Sequence, residues 1–278
     1  MARAGRILER ADYLKSAERA LAFLRHTHWR DGRLLATSRD GRAQLAAYLD
    51  DHAFLIDALL ELLQARWRQE ELEFALQLSA VLLDHFQDPE HGGFYFTADD
   101  HERLSHRPKP FGDDSTPSGN GIAALVLTRL GHLLGVSAYN TAAEQTLQAA
   151  WDHIKQIPHA HCTLLEALEE QLYPTETIVI RGEGRELRRW LSRANLHFAP
   201  RRLVIGIPAT ATGLPGLLEA RRPERGCLAY VCRGTQCEAP VREFEHFEQR
   251  LVTTEISPVT DSGRQFDGAT GSFTRAVD

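Results

Sequence analysis

No apolar run in this sequence approaches the ~18 residues that a membrane span needs. The first twenty residues, "MARAGRILERADYLKSAERA", are basic without an apolar stretch behind them, so neither a membrane segment nor a signal peptide is expected. There is no basic excess either. The formal net charge is −6, which argues against nucleic acid, whose binding rests on Lys and Arg clustered against phosphates. Cysteine is scarce: Cys162, Cys227, Cys232 and Cys237, with no C-x-x-C among them. So few thiols in so long a chain read as reduced and cytoplasmic rather than as a disulfide scaffold, and they are expected buried near a strand end. Cys227, Cys232 and Cys237, with His246 as the nearby imidazole, do not match the paired spacing of a zinc site. The H-x-H pairs His26/His28 and His159/His161 would point in different directions on a helix. "VIRGEGREL" has the order strand, glycine, helix but neither G-x-G-x-x-G nor a Walker lysine, so it reads as a tight turn. No metal and no cofactor are expected.

What is present is a helical pattern followed by a mixed one. Hydrophobic residues make up 43% and charged residues 25%, the composition of an ordinary core-forming protein. Helical spacing predicts six helices over 6–28, 49–66, 69–86, 118–135, 139–156 and 160–172. An internal repeat organises them. "FLRHTHWRDGRLLATSRDG…LAAYLDDHAFLIDALLELL" and "LLDHFQDPEHGGFYFTADDHERL…KPFGDDSTPSGNGIAALVLTRLG" share a helix, a Gly, a short apolar-polar stretch, an Asp-Asp pair and a second helix. A repeat of this size means stacked helical hairpins. "RLLATS" and "GFYFT" are expected as small β-ribbons at one end. After Tyr173, "ETIVIRG", "GRELRRWLSRANL" and "RRLVIGIP" read as a βαβ unit, "GCLAYVCRG" as a further strand and "VREFEHFEQRL" as a closing helix. The division is therefore 1–172 helical hairpins, 173–252 a small α/β unit and 253–278 a disordered tail.

The segments "YLDDHAFLIDALLELLQA", "HGGFYFTADD", "RPKPFGDDSTPSGNGIAAL" and "LAYVCRGTQCEAPV", in that order, resemble the C-terminal portion of the thioredoxin-domain-containing family that includes the spermatogenesis-associated thioredoxin-like proteins. The resemblance implies a mainly α fold, a partial (α/α)6 six-hairpin toroid similar to that of N-acylglucosamine 2-epimerases and six-hairpin glycosidases, with the small α/β unit near the C-terminus. It also implies a thioredoxin-like domain, which this sequence lacks, and more helices than are counted here. The chain is expected to be the last part of a longer protein, with an open seam suited to self-association or to a thioredoxin-like partner domain.

The candidate site lies at the two Asp-Asp pairs. Ser115 or Thr116 as N-cap and Pro117 at N1 already make an adequate helix start, so Asp113 and Asp114 exceed what capping needs. Tyr48, Asp50, Asp51, His52 and Asp57 form the sister motif, with Asp50 or Asp51 able to cap the helix, Asp57 on the helix among apolar neighbours, and Asp51 matched to Asp114. A histidine beside a carboxylate can exchange protons near neutral pH. Asp114, Asp51, His52 and Asp113 are thus the candidate acid/base groups, and Tyr48, Ser115, Asn120 and Tyr95 the candidate substrate contacts. A sugar-like small molecule is the expected ligand, handled by epimerase-like or glycosidase-like chemistry. The alternative is a non-catalytic scaffold working with a thioredoxin-like partner.

Overall fold

The structure is a computed structural model that describes residues 1–102, 105–234, 236–252 and 264–275. The helices are α1 (Ala2–Ile7), α2 (Ala11–Phe23), α3 (Leu49–Ala65), α4 (Gln69–Val81), α5 (Gly119–Leu134), α6 (Ser137–Gln156), α7 (Cys162–Leu172), α8 (Gly184–Asn195) and α9 (Phe244–Val252). The strands are β1 (Trp29–Arg30), β2 (Arg33–Arg39), β3 (Arg42–Ala46), β4 (Glu176–Gly182), β5 (Arg202–Pro208), β6 (Leu228–Arg233), β7 (Gln236–Cys237), β8 (Arg264–Asp267) and β9 (Ser272–Arg275). Among the described residues, no helix is long and apolar enough to cross a membrane.

Helices α1, α3, α5 and α7 stand side by side as one row, and α2, α4 and α6 back it as a second. The central helices of the first row are apolar nearly all round. Leu49, Ile56, Leu59, Leu60 and Leu63 of α3 and Val126, Leu127 and Leu130 of α5 are buried, as a helix must be when it is packed on two sides. The sequence predicts one helix over 6–28, and here the structure differs. Glu9 takes a left-handed backbone (φ 52), and the Arg10 N–H closes on the Gly5 carbonyl at 2.9 Å. The chain therefore turns between α1 and α2, which places α1 in the first row beside α3.

The repeat is visible in three dimensions. Both α2 and α4 end in a single π turn, Leu24–His28 and Leu82–Phe86, and each leads through a loop into a first-row helix. The two loops are built differently. In the first copy β1, β2 and β3 form an antiparallel ribbon. In the second, "GFYFT" makes only an isolated bridge between Gln87 and Phe94, not the expected ribbon. A side chain takes over from the ladder there. Asn120, fully buried on α5, accepts the Phe94 N–H at 2.7 Å and donates to the carbonyls of Phe94 and Pro110, both at 2.9 Å.

The four-stranded sheet has the order β5-β4-β6-β7, with β4 and β5 parallel and β6 antiparallel to β4. The βαβ reading holds because β4, α8 and β5 follow one another with a parallel pair at the ends. Alternation along the strands gives the sheet two apolar faces. Val179, Leu203, Ile205, Ile207, Leu228 and Tyr230 continue the core of the helical rows. Ile178, Ile180, Val204, Ala229 and Val231 meet Leu187 and Trp190 of α8 and Phe247 and Leu251 of α9. Trp190 stacks on Phe247 with ring centroids 4.7 Å apart.

Two expectations are corrected. Cys232 and Cys237 are not reduced thiols but a disulfide across the β6–β7 hairpin. The antiparallel register sets them opposite each other, which linear spacing alone does not reveal. Cys227 is free and buried, and Cys162 is free but exposed. Residues 253–278 read as a disordered tail, yet β8 and β9 pair as a hairpin. The hairpin turn rests on α6, where Trp151 Nε1 donates to the Gly268 carbonyl at 3.0 Å. Residues 253–263 and 276–278 lie outside the described residues.

Asn120→Ala strips partners from one buried N–H and two carbonyls. We expect a loss of about 3 kcal/mol in unfolding free energy, measurable by urea denaturation. A change below ~1 kcal/mol would mean that water replaces the amide.

Candidate functional site

The residues singled out in the sequence lie at the N-terminal ends of α3 and α5, and most are engaged in local structure. Asp113 accepts the Ser118 N–H at 2.8 Å through one oxygen and the Thr163 N–H at 2.9 Å through the other. One carboxylate thus ties together the starts of α5 and α7. Burial works against its charge, but these amide donors outweigh it and hold its pKa below the usual carboxylate value. Asp114 and Ser115 are exposed on the loop, and Ser118, not Ser115, is the N-cap of α5. Asp51 accepts the Tyr48 N–H at 2.8 Å within the first turn of α3. Asp114 instead precedes the N-cap of its helix, so the two aspartates are not structural equivalents. His52 is buried, with Nδ1 2.9 Å from the Tyr48 carbonyl oxygen and its ring against Phe86. Burial lowers its pKa. Tyr48 stacks on Phe96 at 4.8 Å. Tyr95 donates to Asp88 at 2.9 Å and lies under the Arg107 guanidinium at 4.2 Å. Asn120 is committed to the loop carbonyls described above. Asp51 acts electrostatically on the adjacent His52, but among the described residues no hydrogen bond or ion pair links the Asp114 side chain to either.

The neighbouring Asp50 behaves differently. A Cβ on Gly119 would collide with its carboxylate, so any other residue there would displace the Asp50 side chain. Asp50 Oδ1 is buried without a hydrogen-bond partner, and burial, then Asp51, raises the Asp50 pKa.

A second, denser group of charges runs between the first-row helices. Asp57 and Glu61 stand one turn apart on α3, and Glu166 and Glu170 one turn apart on α7. Arg129 of α5 lies between them. Its Nε donates to Glu170 at 3.0 Å, and both groups are buried. The same guanidinium has Asp57 and Glu166 each at 3.9 Å. Burial opposes the Arg129 charge, but Glu170 and Asp57 outweigh it and keep the group protonated. Glu61 takes Arg3 at 2.8 Å and Arg6 at 3.2 Å. Burial alone would raise the Glu61 pKa, and these partners hold it below its ordinary value. Among the described residues, Asp57 and Glu166 make no hydrogen bond to a donor, the Arg129 guanidinium standing 3.9 Å from each. Burial raises the pKa of each despite Arg129.

Part of this cluster, Glu61, Arg129 and Glu166 with Arg3 and Arg6, forms one wall of a cavity of about 260 Å³. Glu61, Arg129, Glu166 and Arg6 come from the helices; Leu196 and Phe198 come from the segment between α8 and β5. Phe198 is 96% exposed, so its ring stands free at this cavity. Arg6 Nε and His197 Nε2, both on lining residues, are buried without a hydrogen-bond partner. The arrangement offers donors, acceptors and an aromatic surface within one small space, with Glu166 on its lining and Asp57 off the lining, 3.9 Å from the Arg129 guanidinium; burial raises the pKa of both.

Sequence reasoning noted Asp57 among apolar neighbours but passed over Glu61, Arg129, Glu166 and Glu170. The available signal was a charge inside a helix buried on two sides, as in "LLELL" and "LVLTRLG". Such a charge needs a partner on another helix.

No protein-family model matches the chain. It is similar to uncharacterized protein B0495.5 of Caenorhabditis elegans, 27% identical over 215 residues, covering 75% of this chain and 29% of that protein. It is also similar to spermatogenesis-associated protein 20 of Homo sapiens, 28% identical over 204 residues, covering 70% of this chain and 26% of that protein. The rat protein of the same name is 28% identical over 205 residues, with the same coverage. The chain spans between a quarter and a third of the length of these curated relatives.

Asp113 and Asp114 are separable by mutation. Asp113→Ala removes acceptors from two helix starts and should cost about 2 kcal/mol. Asp114→Ala should stay within ~0.5 kcal/mol. Because the folded pKa of Asp113 is depressed, its contribution is complete above the unfolded carboxylate value and is lost as pH falls through the folded one. The stability gap between wild type and Asp113→Ala should therefore close in acid, and thermal melts from neutral pH downward would show it. A gap that persists in acid would exclude the carboxylate as its source.

Proposed function

We propose that this chain is part of a carbohydrate-active helical toroid, in which the first-row helices are the inner ones and their charged wall binds a neutral sugar-sized molecule. The observation that carries this reading is the cavity beside Arg129. Guanidinium and carboxylate groups present paired donors and acceptors suited to neighbouring hydroxyls, and an exposed aromatic ring stands at the same space. The lining carries four arginines, Arg3, Arg6, Arg129 and Arg202, against Glu61 and Glu166, but each arginine is ion-paired with Glu61, Glu170 or Glu176, which favours a neutral polyol over an anion. Asp57 and Glu166 are the acid/base candidates, because each has a raised pKa near one fixed cation. Epimerase-like and glycosidase-like chemistry both require two such groups. The likeness to spermatogenesis-associated protein 20 is consistent with the family resemblance read from the motifs. Asp113, Asp51 and Asn120 then act as supports that order the helix starts at one rim.

A second reading, a non-catalytic scaffold for a thioredoxin-like partner, has its own observation. Arg3 and Arg6 are already occupied by Glu61, while Ile7, Leu196 and Phe198 expose apolar surface around the cavity.

Thermal unfolding against a monosaccharide panel separates the two. A bound sugar at 100 times its Kd adds about 2.7 kcal/mol, a rise of roughly 5–10 °C for a chain of this size. The raised pKa of Asp57 means that its folded form is penalised as pH climbs above the unfolded carboxylate value. Asp57→Asn should thus keep or raise Tm at neutral pH while abolishing turnover, the pattern of a functional group. Glu166→Gln should lose turnover likewise. A panel in which no sugar moves Tm would favour the scaffold.

A further inference from the structure

Two sulfurs and a guanidinium meet at the edge of the four-stranded sheet. Cys232 on β6 and Cys237 on β7 are directly opposed in the antiparallel register and joined by a disulfide, with Cα atoms 4.0 Å apart. Cys232 is buried and Cys237 exposed. Arg221 Nη2 stands 2.7 Å from the Cys237 sulfur and 3.4 Å from the Cys232 sulfur. Its position is built: the Arg221 carbonyl accepts from the buried Arg181 at 2.6 Å, and its guanidinium lies 5.5 Å from the centre of the Tyr230 ring. Glu238, next to Cys237, is paired with Arg250 at 2.7 Å.

Neither feature suits a purely structural cross-link. The two cysteines are only five residues apart, and closing so short a loop constrains the unfolded chain less than a long-range cross-link would. The hairpin is also closed beyond the sulfurs, where the Glu238 N–H meets the Val231 carbonyl at 3.0 Å. A disulfide carries no net charge, so a guanidinium against it gains no ion pair. Charge appears on these sulfurs only when the bond is reduced, and a thiolate beside a fixed cation is strongly favoured.

We propose that Cys232–Cys237 is a redox-active disulfide that takes two electrons from a dithiol, with Arg221 stabilising the thiolates that form. A thiolate of the incoming dithiol attacks the exposed Cys237 sulfur. An S–S bond forms between them, the Cys232–Cys237 bond breaks, and its electron pair leaves on Cys232 as a thiolate near Arg221. The second thiol of the dithiol, losing its proton to solvent, then attacks its partner sulfur in the mixed disulfide. The dithiol departs as a disulfide, and Cys237 is released as a thiolate beside Arg221. The dithiol is oxidised by two electrons and the hairpin reduced by two.

The test equilibrates the full chain in dithiothreitol buffers of graded redox ratio, blocks free thiols by alkylation and counts them by mass. Exposed Cys162 serves as the internal reference, whereas burial pushes the Cys227 thiol up to about 12 and keeps it silent. We expect the wild-type pair to reduce while circular dichroism remains native. Arg221→Gln should shift the equilibrium about tenfold towards the disulfide, ~30 mV for this two-electron couple, and Arg221→Lys should recover part of the shift. Should Arg221→Gln fail to fold, the alkylation rate of reduced native Cys237 against that of Cys162 gives the same answer; a rate no greater than the reference rejects the proposal. An unchanged equilibrium in a folded Arg221→Gln, or a pair that reduces only as the fold is lost, would also overturn it.

Discussion

The Arg129 guanidinium is the constraint around which the helical part is organised. It sits in the middle of the first row, and its bonds to Glu170, with Asp57 and Glu166 close by, tie α5 to both of its neighbours. Removing a guanidinium and a carboxylate from water is costly, and such a pair seldom adds net stability over apolar packing. What it does impose is register. Three apolar helices can slide past one another at little cost, whereas a buried cation leaves only the alignment in which Glu170 meets it. Thr175, just before β4, donates to the same carboxylate, so the start of the sheet is referred to the same point.

At the opposite end of the row the problem is backbone satisfaction. Each helix start presents N–H groups without intrahelical partners, and here several starts are brought close together under long loops. Asp113 and Asp51 answer that demand with side-chain atoms, and Asn120 does the same for the loop packed over α5. This is why the two repeat copies differ. The first closes its loop with a β-ribbon, while the second closes it with the Asn120 amide and the Lys109–Asp88–Tyr95 group. The π turns preceding both loops are shared.

The sheet joins the two regions of chemistry. One face completes the helical core and brings the α8–β5 segment against the Arg129 wall, forming the cavity. Its far edge carries the β6–β7 hairpin with the disulfide and Arg221. Arg181 of β4 holds carbonyls on both sides of that arrangement, including those of Pro208 and Arg221.

Sequence by itself determined the elements whose signal is local. Apolar periodicity marks α3 to α7 closely, and β-branched runs bounded by glycine and proline mark β4 and β5. Their order is enough for the βαβ unit, and self-similarity for the hairpin stack. Motif order was enough to suggest relatives. Only the tertiary structure decided which charges meet. Asp113 and Asp114 are adjacent and chemically alike, yet one is bound to two helix starts and the other lies in solvent. Arg129 and Glu170 are far apart in the chain and carry no mutual pattern. Cys232 and Cys237 look like separate thiols until the hairpin register sets them face to face. The physical reason is the same in each case. Secondary structure follows from neighbours along the chain, whereas the state of a carboxylate, a guanidinium or a thiol follows from burial and from partners that only folding brings within a few ångströms.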